Sequence, residues 1–373
     1  MQNSTNPKLT PAYLSGLVQA YGGFHIAVDR SKSNKLGIRV TPKLILSQHI
    51  SAKPFFKDLM NYLGVGHLTT NKNEVQIVVN SLPQIKQEIL PLFDLYPVRS
   101  GKLISYLMFK QVVEMMELKK HLTAEGLAQI IEISYDMNLV SQRKPERKLE
   151  LLKSIGFEQG VTVKNPIIPI VPPMDPLFVS GLTDGDGSFF ISFRANRRIV
   201  VSYTVIQESS CKEVLTELTE YFNCGAVYDL PSAASRFQVE NLDKLINHVI
   251  PHFAEYPLHT VKKEYFEIFS QVCHLLKKTV HKTDEGLQQI IDLAYNMNKE
   301  GKGRRLTKEE FIQKMKAKSS PKKGFLCETS KTSKSWRYSL NWFERIRIYW
   351  KGQSNLEISW SSAKPVLAGR PSL

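Results

Sequence analysis

Apolar and polar residues recur along the chain with two different periods, and their succession predicts a fixed order of helices and strands. Residues 14–21 have helical spacing and run directly into an alternating strand at 25–30. A polar turn separates this strand from a β-branched strand at 37–48. The pattern continues with a helix at 51–63, a hairpin at 64–79, and helices at 82–92, 102–119 and 124–138. The expected order is αββαββα with further helix at the end.

The same order recurs in the second half of the chain, together with short identical segments. His121-Leu-Thr-Ala-Glu-Gly-Leu127 returns as His281-Lys-Thr-Asp-Glu-Gly-Leu287, and Tyr96-Pro97 returns at the same offset as Tyr256-Pro257. Two further pairs keep nearly the same offset: Lys102 with Lys262, and Gln48 with Gln207. A nearly constant offset over ordered positions indicates a duplication. The sequence therefore predicts an α+β fold of two pseudo-symmetric halves, residues 11–138 and 177–305.

The helix that opens each half has small residues on one face. Gly181 and Gly185 are four residues apart in the segment 179–189, and Gly16 and Ala20 hold the equivalent positions in the segment 14–24. Small residues let two helix backbones approach closely. We therefore expect the two helices to pack on each other across a pseudo-twofold axis.

The composition indicates a polyanionic partner. The chain has a formal net charge of +15 and an isoelectric point near 9.5, which favours nucleic acid. There is no run of 18 apolar residues, so no membrane span is expected. The cysteines have no metal-ligand spacing and are interpreted as reduced thiols: Cys211, Cys224, Cys273 and Cys327.

Two segments depart from the repeat. Residues 139–176 form a linker between the halves, charged in its first part, and the prolines of its second part predict an extended, stiff connection. Residues 306–373 form a C-terminal extension, and its part from 315 onward has 12 Lys and Arg against 3 Asp and Glu. All four tryptophans lie there, at positions 336, 342, 350 and 360. Three interpretations stay open: an element packed on the core by its tryptophans, an added nucleic-acid surface, or a partly disordered end.

The paired motifs and the ordered positions after them resemble the single-chain LAGLIDADG homing endonucleases encoded by organellar group I introns. The resemblance covers about residues 11–305. It implies two curved antiparallel sheets in the DNA major groove, paired LAGLIDADG helices, and a monomer that cuts a long double-stranded DNA target. It also implies Mg²⁺ or another divalent cation, and synthesis inside the mitochondrion or, alternatively, the chloroplast.

The resemblance assigns roles to individual residues of the motifs. Asp186 matches the metal-binding acid of the second motif, and the backbone carbonyl of Gly185 would be a further ligand. Tyr21 stands where the first motif would have its acid, and a neutral phenol is a poor Mg²⁺ ligand. The lysine and glutamine pairs match residues near the active site: Lys102, Lys262, Gln48 and Gln207. Asp184 is interpreted as a packing or capping residue.

Tyr21 leaves three interpretations of the activity open. The protein could be a weakened or strand-biased nuclease that depends on Asp186. It could be a maturase-type splicing factor that binds group I intron RNA without cutting DNA. It could also be a decaying gene copy. Apart from these three, a duplicated α/β nucleic-acid-binding domain without chemistry stays open as a further hypothesis.

Basic and polar residues of the hairpins are the expected DNA contacts, because arginine can read guanine and lysine can hold a phosphate. A register error of one residue would turn the strand residues to the opposite face. The candidates on the first hairpin of each half are Arg30, Lys32, Lys35, Arg39, Lys43, Arg194, Arg197, Arg198 and Tyr203, and those on the second hairpins are Lys72 and Arg236.

Overall fold

Two four-stranded antiparallel sheets, one in each half of the chain, form the frame of the structure. The computed structural model describes residues 9–137, 144–194, 198–297 and 306–317. Helices cover one face of each sheet, and the buried apolar side chains lie between the helices and the strands.

The first half begins with a helix and two long strands. Its elements are α1 (Pro11–Tyr21), β1 (Gly22–Arg30), β2 (Ile38–His49), α2 (Lys53–Leu63), β3 (His67–Thr70), β4 (Glu74–Val79), α3 (the consecutive segments Leu82–Gln84, Ile85–Ile89 as a π-helical turn, and Leu90–Leu95), α4 (Ser100–Glu117) and α5 (Ala124–Asp136). The strand order across the sheet is β1-β2-β4-β3.

The second half repeats this series after one intervening helix, α6 (Pro145–Lys153). Its elements are α7 (Pro176–Asp186), β5 (Gly187–Phe193), β6 (Ile199–Glu208), α8 (Lys212–Phe222), β7 (Ala226–Leu230), β8 (Ala234–Val239), α9 (Leu242–Lys244, the π-helical turn Leu245–Val249, and Ile250–Glu255), α10 (Lys262–Lys277), α11 (Asp284–Asn296) and α12 (Lys308–Ala317). The order β5-β6-β8-β7 equals that of the first sheet. The predicted α+β fold with two like halves is confirmed, and even the π-helical turn is duplicated.

The first hairpin is longer in the first half than in the second, and this difference changes the repeat offset. The hairpin runs from Gly22 to His49 in the first half and from Gly187 to Glu208 in the second. Its strands have 9 and 12 residues in the first half and 7 and 10 in the second. The additional residues of the first half are thus divided between both strands and the turn that joins them.

The motif helices α1 and α7 contact each other through their backbones. A Cβ atom placed on Gly16 would lie 2.1 Å from the carbonyl oxygen of Phe178, and one on Gly181 would lie 2.0 Å from that of Tyr13. Both distances are shorter than any side chain tolerates, so glycine is required at both positions. Near the helix ends, a Cβ on Gly185 would lie 2.0 Å from the Cβ of Ala20.

Alternation along the first strands fixes which residues face the helices. On β1, Phe24, Ile26 and Val28 are buried, and the residues between them are partly exposed. On β6 the buried set includes Tyr203, which is fully buried and shares a hydrogen bond with Thr183 of α7, at 2.6 Å between the two hydroxyl oxygens. The prediction that Tyr203 contacts DNA is therefore wrong, because its ring lies in the core beneath the sheet.

The charged part of the linker between the halves is helical. Leu151 and Leu152 of α6 are buried in the core of the first half, and Lys148 forms an ion pair with the buried Glu132 at 2.7 Å. Residues 157–175 have no helix or strand. The proline-rich part of the linker therefore has no regular secondary structure, whereas residues 145–153 of its charged part form a helix, because two adjacent leucines gain burial in that conformation.

The repeated Thr-x-Glu-Gly segments are helix starts. Thr123 accepts a hydrogen bond from the backbone N–H of Gly126 at 3.1 Å, and Thr283 does the same for Gly286 at 3.0 Å. A Cβ on Gly126 would lie 2.2 Å from the carbonyl oxygen of Lys120. These segments are thus retained in both halves for a structural reason, the close contact of a helix start with the preceding turn.

The described part of the C-terminal extension is α12, and the four tryptophans lie outside the described residues. None of the helices that the structure describes is both long and apolar enough to cross a membrane. Three of the cysteines are described, and all three are free thiols.

One buried histidine distinguishes the second half from the first. His252 of α9 is 7% exposed, its Nδ1 lies 2.9 Å from the Tyr221 hydroxyl, and its Nε2 lies 3.5 Å from the Ser180 hydroxyl. Burial lowers the pKa of His252 to about 3. The equivalent residue of the first half is Leu92. The folded protein therefore holds a neutral imidazole where its own duplicate has an aliphatic side chain.

Replacing His252 by leucine should reduce the loss of stability at low pH. The unfolded chain binds a proton at His252 below its ordinary pKa near 6.5, whereas the folded chain does not, so the stability falls as the pH decreases below that value. This linkage amounts to about 2 kcal/mol between pH 7.5 and pH 5. Urea unfolding at the two pH values measures it. The difference should shrink by about that amount in His252→Leu and stay unchanged in His274→Leu, which removes an exposed histidine; equal behaviour of the two variants would contradict the assignment.

Candidate functional site

The C-terminal ends of α1 and α7 bring residues of both halves together. Tyr21 ends α1 and Asp186 ends α7, and the Cα of Gly185 lies so close to α1 that an added Cβ would be 3.2 Å from the Tyr21 ring. Each helix leads without a loop into the first strand of its sheet. The two helix ends therefore lie between the two sheets, at the pseudo-twofold axis.

Asp186 is the acidic group of this site. Its Oδ2 accepts a hydrogen bond from Gln207 Nε2 at 2.5 Å, at the end of β6. Burial raises the pKa of the Asp186 carboxyl to about 6, against the opposing effects of Lys262, Lys102 and Gln207. The carboxylate is thus desolvated but surrounded by groups that favour its charged form.

Two lysines, one from each half, lie beside the helix ends. Lys262 Nζ donates to the carbonyl oxygens of Gly185 at 2.6 Å and Thr183 at 3.0 Å. Lys102 Nζ donates to the carbonyl oxygen of Gly22 at 2.5 Å. Burial lowers the pKa of both ammonium groups, while Asp186 acts in the opposite direction on both. The lysines place positive charge next to carbonyls that end the helices, where it is electrostatically favourable.

A chain of amide hydrogen bonds connects the first half to Asp186. The backbone N–H of Arg99 donates to Gln19 Oε1 at 2.7 Å, and Gln19 Nε2 donates to Gln207 Oε1 at 3.2 Å. Because a backbone N–H can only donate, the orientation of both amides is determined. Gln207 must therefore present its Nε2 to Asp186, and we call this Arg99–Gln19–Gln207–Asp186 series the amide relay.

The equivalent positions of the first half are not arranged in this way. The Tyr21 ring packs against Phe56 with 5.9 Å between ring centroids, and burial raises the pKa of its phenol well above 10, so it stays neutral. Gln48, the counterpart of Gln207, accepts from the backbone N–H of His49 at 2.9 Å. Of the predicted residues, Asp186, Lys102, Lys262 and Gln207 are thus brought together, and Gln48 binds its own neighbour instead.

Gln19 and Asp184 have matching structural roles. Asp184 Oδ2 accepts from the backbone N–H of His259 at 2.7 Å and from the Tyr13 hydroxyl at 2.6 Å. Gln19 accepts from the backbone N–H of Arg99, and Arg99 is the counterpart of His259 in the repeat. Asp184 is therefore a packing and capping residue. Gln19 is not among the predicted site residues, and its place in the repeat, equivalent to that of Asp184, is the sequence signal that could have identified it.

The donor atoms at the helix ends suit a hard divalent cation. Such cations bind one or two carboxylates together with carbonyl oxygens and water. Asp186 and the carbonyl of Gly185 are of this kind, and that carbonyl has a second lone pair besides the one that accepts from Lys262. One oxygen of Glu208, the residue after Gln207, is buried without a hydrogen-bond partner among the described residues. The described chain has no cluster of three or more His, Cys, Asp or Glu side chains for a metal.

The face of the first sheet opposite the helices has two of the predicted cations. Lys43 lies opposite His25 across the two strands, and Arg39 lies opposite Asp29. All four residues are on the side of β1 and β2 that alternates with the buried residues and is at least partly exposed. Ser47 continues this face into β4, where its partner is Gln76. The open face of the first sheet is therefore polar and basic toward the tip of its hairpin.

The open face of the second sheet has fewer charges. Ser188 pairs with Thr204, and Phe190 pairs with Ser202. Arg236 pairs with Ile206 and with Tyr228, and its guanidinium lies 5.8 Å from the centroid of the Tyr228 ring. Of the residues predicted to contact DNA, Arg236 is thus the one that lies on the open face of the second sheet, and its guanidinium packs against an aromatic ring.

The other predicted DNA contacts lie at turns and strand ends. Arg30 does not lie on the open face of the first sheet. It is the last residue of β1 and is on the same side of the strand as the buried residues Phe24, Ile26 and Val28. Its guanidinium lies 3.9 Å from the carboxylate of Glu150 of α6. Arg197 lies outside the described residues. The remaining residues are exposed at hairpin turns or strand ends: Lys32, Lys35, Lys72, Arg194 and Arg198.

Comparison with known families gives a match in both halves. A family model described as "LAGLIDADG endonuclease" matches residues 14–113 and 179–273. The chain is 38% identical over 263 residues to "Probable intron-encoded DNA endonuclease 1" of Mycosarcoma maydis, an alignment that covers 69% of this chain and 96% of that protein. It is 30% identical over 294 residues to "Probable intron-encoded endonuclease 3" of Neurospora crassa, covering 76% of this chain and about half, 53%, of that protein.

Solved structures have the same fold. The crystal structure of the I-LtrWI LAGLIDADG homing endonuclease bound to target DNA superposes with a TM-score of 0.70 at 28% sequence identity, and the match covers 77% of this chain and 97% of that one. A match over 77% of this chain is longer than either half, so both halves contribute to the likeness.

Loss of the amide relay should destabilise the fold. Gln19→Met keeps the side-chain length but leaves the backbone N–H of Arg99 and the Oε1 of Gln207 without partners in a buried position, at a cost of about 2–3 kcal/mol. Gln48→Met is the matched control, since Gln48 is half-buried and bonds its neighbouring backbone; its cost should stay below about 1 kcal/mol. Urea unfolding at neutral pH compares them, and similar losses in both would show that the relay does not stabilise the fold.

Proposed function

Because the chain belongs to the LAGLIDADG endonuclease family, we propose that it is a site-specific DNA endonuclease that hydrolyses phosphodiester bonds in a long double-stranded target. The observation that supports this most directly is the convergence of Asp186 with Lys102 and Lys262 at the ends of the motif helices. Hydrolysis of a phosphodiester needs a bound metal ion and positive charge that stabilises the negative charge developing on the phosphate. The carboxylate supplies a metal ligand, and the two ammonium groups supply positive charge.

The bound metal would be Mg²⁺ or another divalent cation, which lowers the pKa of a water and neutralises charge on the phosphate. Asp186 and the carbonyl oxygen of Gly185 would hold it. The amide relay supports this role of Asp186, because Gln207 donates to one carboxylate oxygen and leaves the other oxygen available. Gln207 is thus proposed to orient Asp186 and not to bind the metal.

The hydrolysis itself exchanges one oxygen of phosphorus for another. A water oxygen forms a bond to phosphorus while the bond from phosphorus to the leaving sugar oxygen breaks. The water loses a proton to solvent, and the leaving oxygen takes one up. Lys262 and Lys102 stabilise the charge that develops on the phosphate, and their lowered pKa values make proton donation to the leaving oxygen easier.

We propose that the two strands are cut at unequal rates. Asp186, Lys262 and Gln207 form a connected set in the second half. In the first half Tyr21 is a neutral phenol packed on Phe56, and it supplies no anionic ligand. The strand whose phosphate lies next to the second-half set is therefore cut faster, and nicked DNA accumulates.

The DNA would lie on the open faces of both sheets, since a two-stranded ribbon fits the major groove. Arg39 and Lys43 on the first sheet and Arg236 on the second are the proposed contacts of the sheet faces. Turn and strand-end residues contact the backbone at the ends of the target, where lysine and arginine hold phosphates: Lys32, Lys35, Lys72, Arg194 and Arg198.

A second candidate function is binding of group I intron RNA without cleavage. Tyr21 is the observation that favours it, because the loss of one acid impairs cutting and leaves the basic surfaces intact. Removal of residues 315–373 would then weaken binding of intron RNA more than binding of DNA in gel-shift titrations. Equal weakening of both would contradict this candidate.

The relatives named as intron-encoded endonucleases support an intron as the origin of the gene. With the resemblance to organellar intron proteins, this supports synthesis inside an organelle. We propose the mitochondrion, with the chloroplast as the alternative. The position of the reading frame in the host genome tests both the compartment and the expected target, the intronless form of the same gene.

Asp186→Asn should abolish DNA cutting without preventing DNA binding. The amide keeps the size of the side chain and removes its charge, so the metal loses its anionic ligand. The measurement is cleavage of a plasmid with the intronless host gene in Mg²⁺, next to a gel shift with the same DNA in Ca²⁺. Cutting should fall by at least about 100-fold, as for other catalytic ligands, while the dissociation constant for DNA changes less than about threefold. Cutting that survives the substitution would disprove the role of Asp186.

Tyr21→Asp should increase the rate at which the slower strand is cut. It places a carboxylate at the first motif, beside Gly185 and directly before Gly22, whose carbonyl oxygen accepts from Lys102, and gives the first half an anionic ligand. End-labelling of each strand separately measures the two rates, and the ratio of nicked to linear plasmid should fall. Tyr62→Asp, a change of the same type at a half-buried tyrosine of α2, is the control. If Tyr21→Asp and Tyr62→Asp both leave the ratio unchanged, the first half is limited by something other than the missing acid.

A further inference from the structure

Glu208 is an acidic residue at the site that the proposed mechanism does not yet use. It is the last residue of β6, directly after Gln207, and it is paired across the sheet with Ala234. Its Oε1 is buried and has no hydrogen-bond partner among the described residues. A buried carboxylate oxygen without a partner costs free energy unless a cation lies next to it.

Lys102 is the cation whose charge acts on Glu208. Burial raises the pKa of Glu208 and Lys102 lowers it, and the reciprocal influence acts on the pKa of Lys102, together with that of Asp186. Lys102 is the lysine of the first half, on the side where Tyr21 stands. Glu208, at the end of a strand of the second half, is therefore influenced by the lysine of the first half.

The backbone holds Glu208 in this position. The turn after it packs against the start of α4: a Cβ on Gly101 would lie 2.5 Å from the carbonyl oxygen of Ser210. Ser100 also donates its hydroxyl to the same carbonyl at 3.1 Å. Because Lys102 follows Gly101 directly, the contact between turn and helix fixes the distance between the strand end and this lysine.

The duplicate position has a different residue and a different role. His49 is the counterpart of Glu208, since each directly follows the repeated glutamine of its half, and the Nδ1 of His49 accepts from the backbone N–H of Ser51 at 3.3 Å. His49 thus caps the turn that follows β2. The side chain of Glu208 makes no such bond with the turn that follows β6. The carboxylate is therefore not required for the local fold, and the two halves differ at two positions near the site, Tyr21 against Asp186 and Glu208 against His49.

We propose that Glu208 is the second carboxylate of the metal site and supplies the anionic ligand that Tyr21 does not. This rests on the proposed function, since it assigns a ligand to the same cation-dependent centre. Asp186 and Glu208 together give the one or two carboxylates that Mg²⁺ and Mn²⁺ take, and water completes the coordination. The residual cutting of the slower strand then depends on Glu208, and cutting of the faster strand depends on Asp186.

Binding of Mn²⁺ tests this without any measurement of cutting. The loss of the free-ion electron paramagnetic resonance signal gives the Mn²⁺ affinity of the full-length protein. Glu208→Gln and Asp186→Asn should each weaken Mn²⁺ binding by about tenfold or more, the scale of losing a group that supports a metal. The control is Glu220→Gln, which removes the same charge from an exposed position of α8 and should change the affinity less than about twofold.

A rescue variant excludes an indirect effect of misfolding. Tyr21→Asp in the Glu208→Gln background restores a carboxylate at the first motif, and the Mn²⁺ affinity should return to within about threefold of the wild type. Glu208→Gln should unfold at the same urea concentration as Glu220→Gln. Rescue together with unchanged stability supports a ligand role. Weak binding that is not rescued, in a variant of lowered stability, assigns Glu208 a structural role and overturns the proposal.

The outcomes separate this inference from the proposed function. If the wild type binds Mn²⁺ through Asp186 and cuts DNA, but Glu208→Gln binds as tightly as Glu220→Gln, the inference is wrong and the endonuclease proposal stands. If the wild type neither binds Mn²⁺ nor cuts the intronless target, both are wrong. Strand-specific rates add a check: Glu208→Gln should slow the slower strand more than the faster one, and equal slowing would count against the assignment.

Discussion

The structure depends on the contact between α1 and α7, in which two helix backbones touch without intervening side chains. Gly16 and Gly181 permit this contact, and each lies against a carbonyl oxygen of the opposite helix. The close approach determines the distance between the helix ends, and therefore between Tyr21 and Asp186. Since each helix continues without a loop into the first strand of its sheet, the same contact also sets the positions of both sheets. One packing constraint thus determines both the site and the surfaces that flank it.

The duplicated halves are equal in architecture and unequal in chemistry. Structural groups were kept in both copies, such as Thr123 and Thr283 at their helix starts. The groups near the helix ends differ: the first half has Tyr21 where the second has Asp186, and the second half has Glu208 where the first has His49. Selection on packing acts on each half separately, because each half must bury its own core. Chemistry at the axis is shared, so one copy can change when the other compensates.

Most of the fold could be predicted from the sequence. The spacing of apolar residues predicts each helix and strand, and the repeat offset independently predicts where the same elements occur in the second half. A residue such as Lys262 was found through its duplicate at 102. Tyr203 was misassigned because a tyrosine among alternating residues suits either face of a strand, and only the core beneath β6 decides between them. The local sequence pattern does not mark Gln19 or Glu208 as site residues, because the groups that they interact with are distant in the chain. Gln19 bonds to Gln207, and Glu208 is influenced by Lys102 of the other half. Helix α6 was missed because charged residues outnumber the two leucines that are buried.

The unequal hairpins have a geometric consequence. Strands β1 and β2 are each two residues longer than β5 and β6, and at about 3.3 Å per residue the first ribbon extends about 7 Å further. Base pairs follow one another at about 3.4 Å along the duplex. In the proposed arrangement on DNA, the first half therefore reaches about two base pairs further from the axis than the second, and the two arms of the target differ in length. Arms of unequal length favour one of the two orientations of the protein on its target, independently of the bases that it contacts.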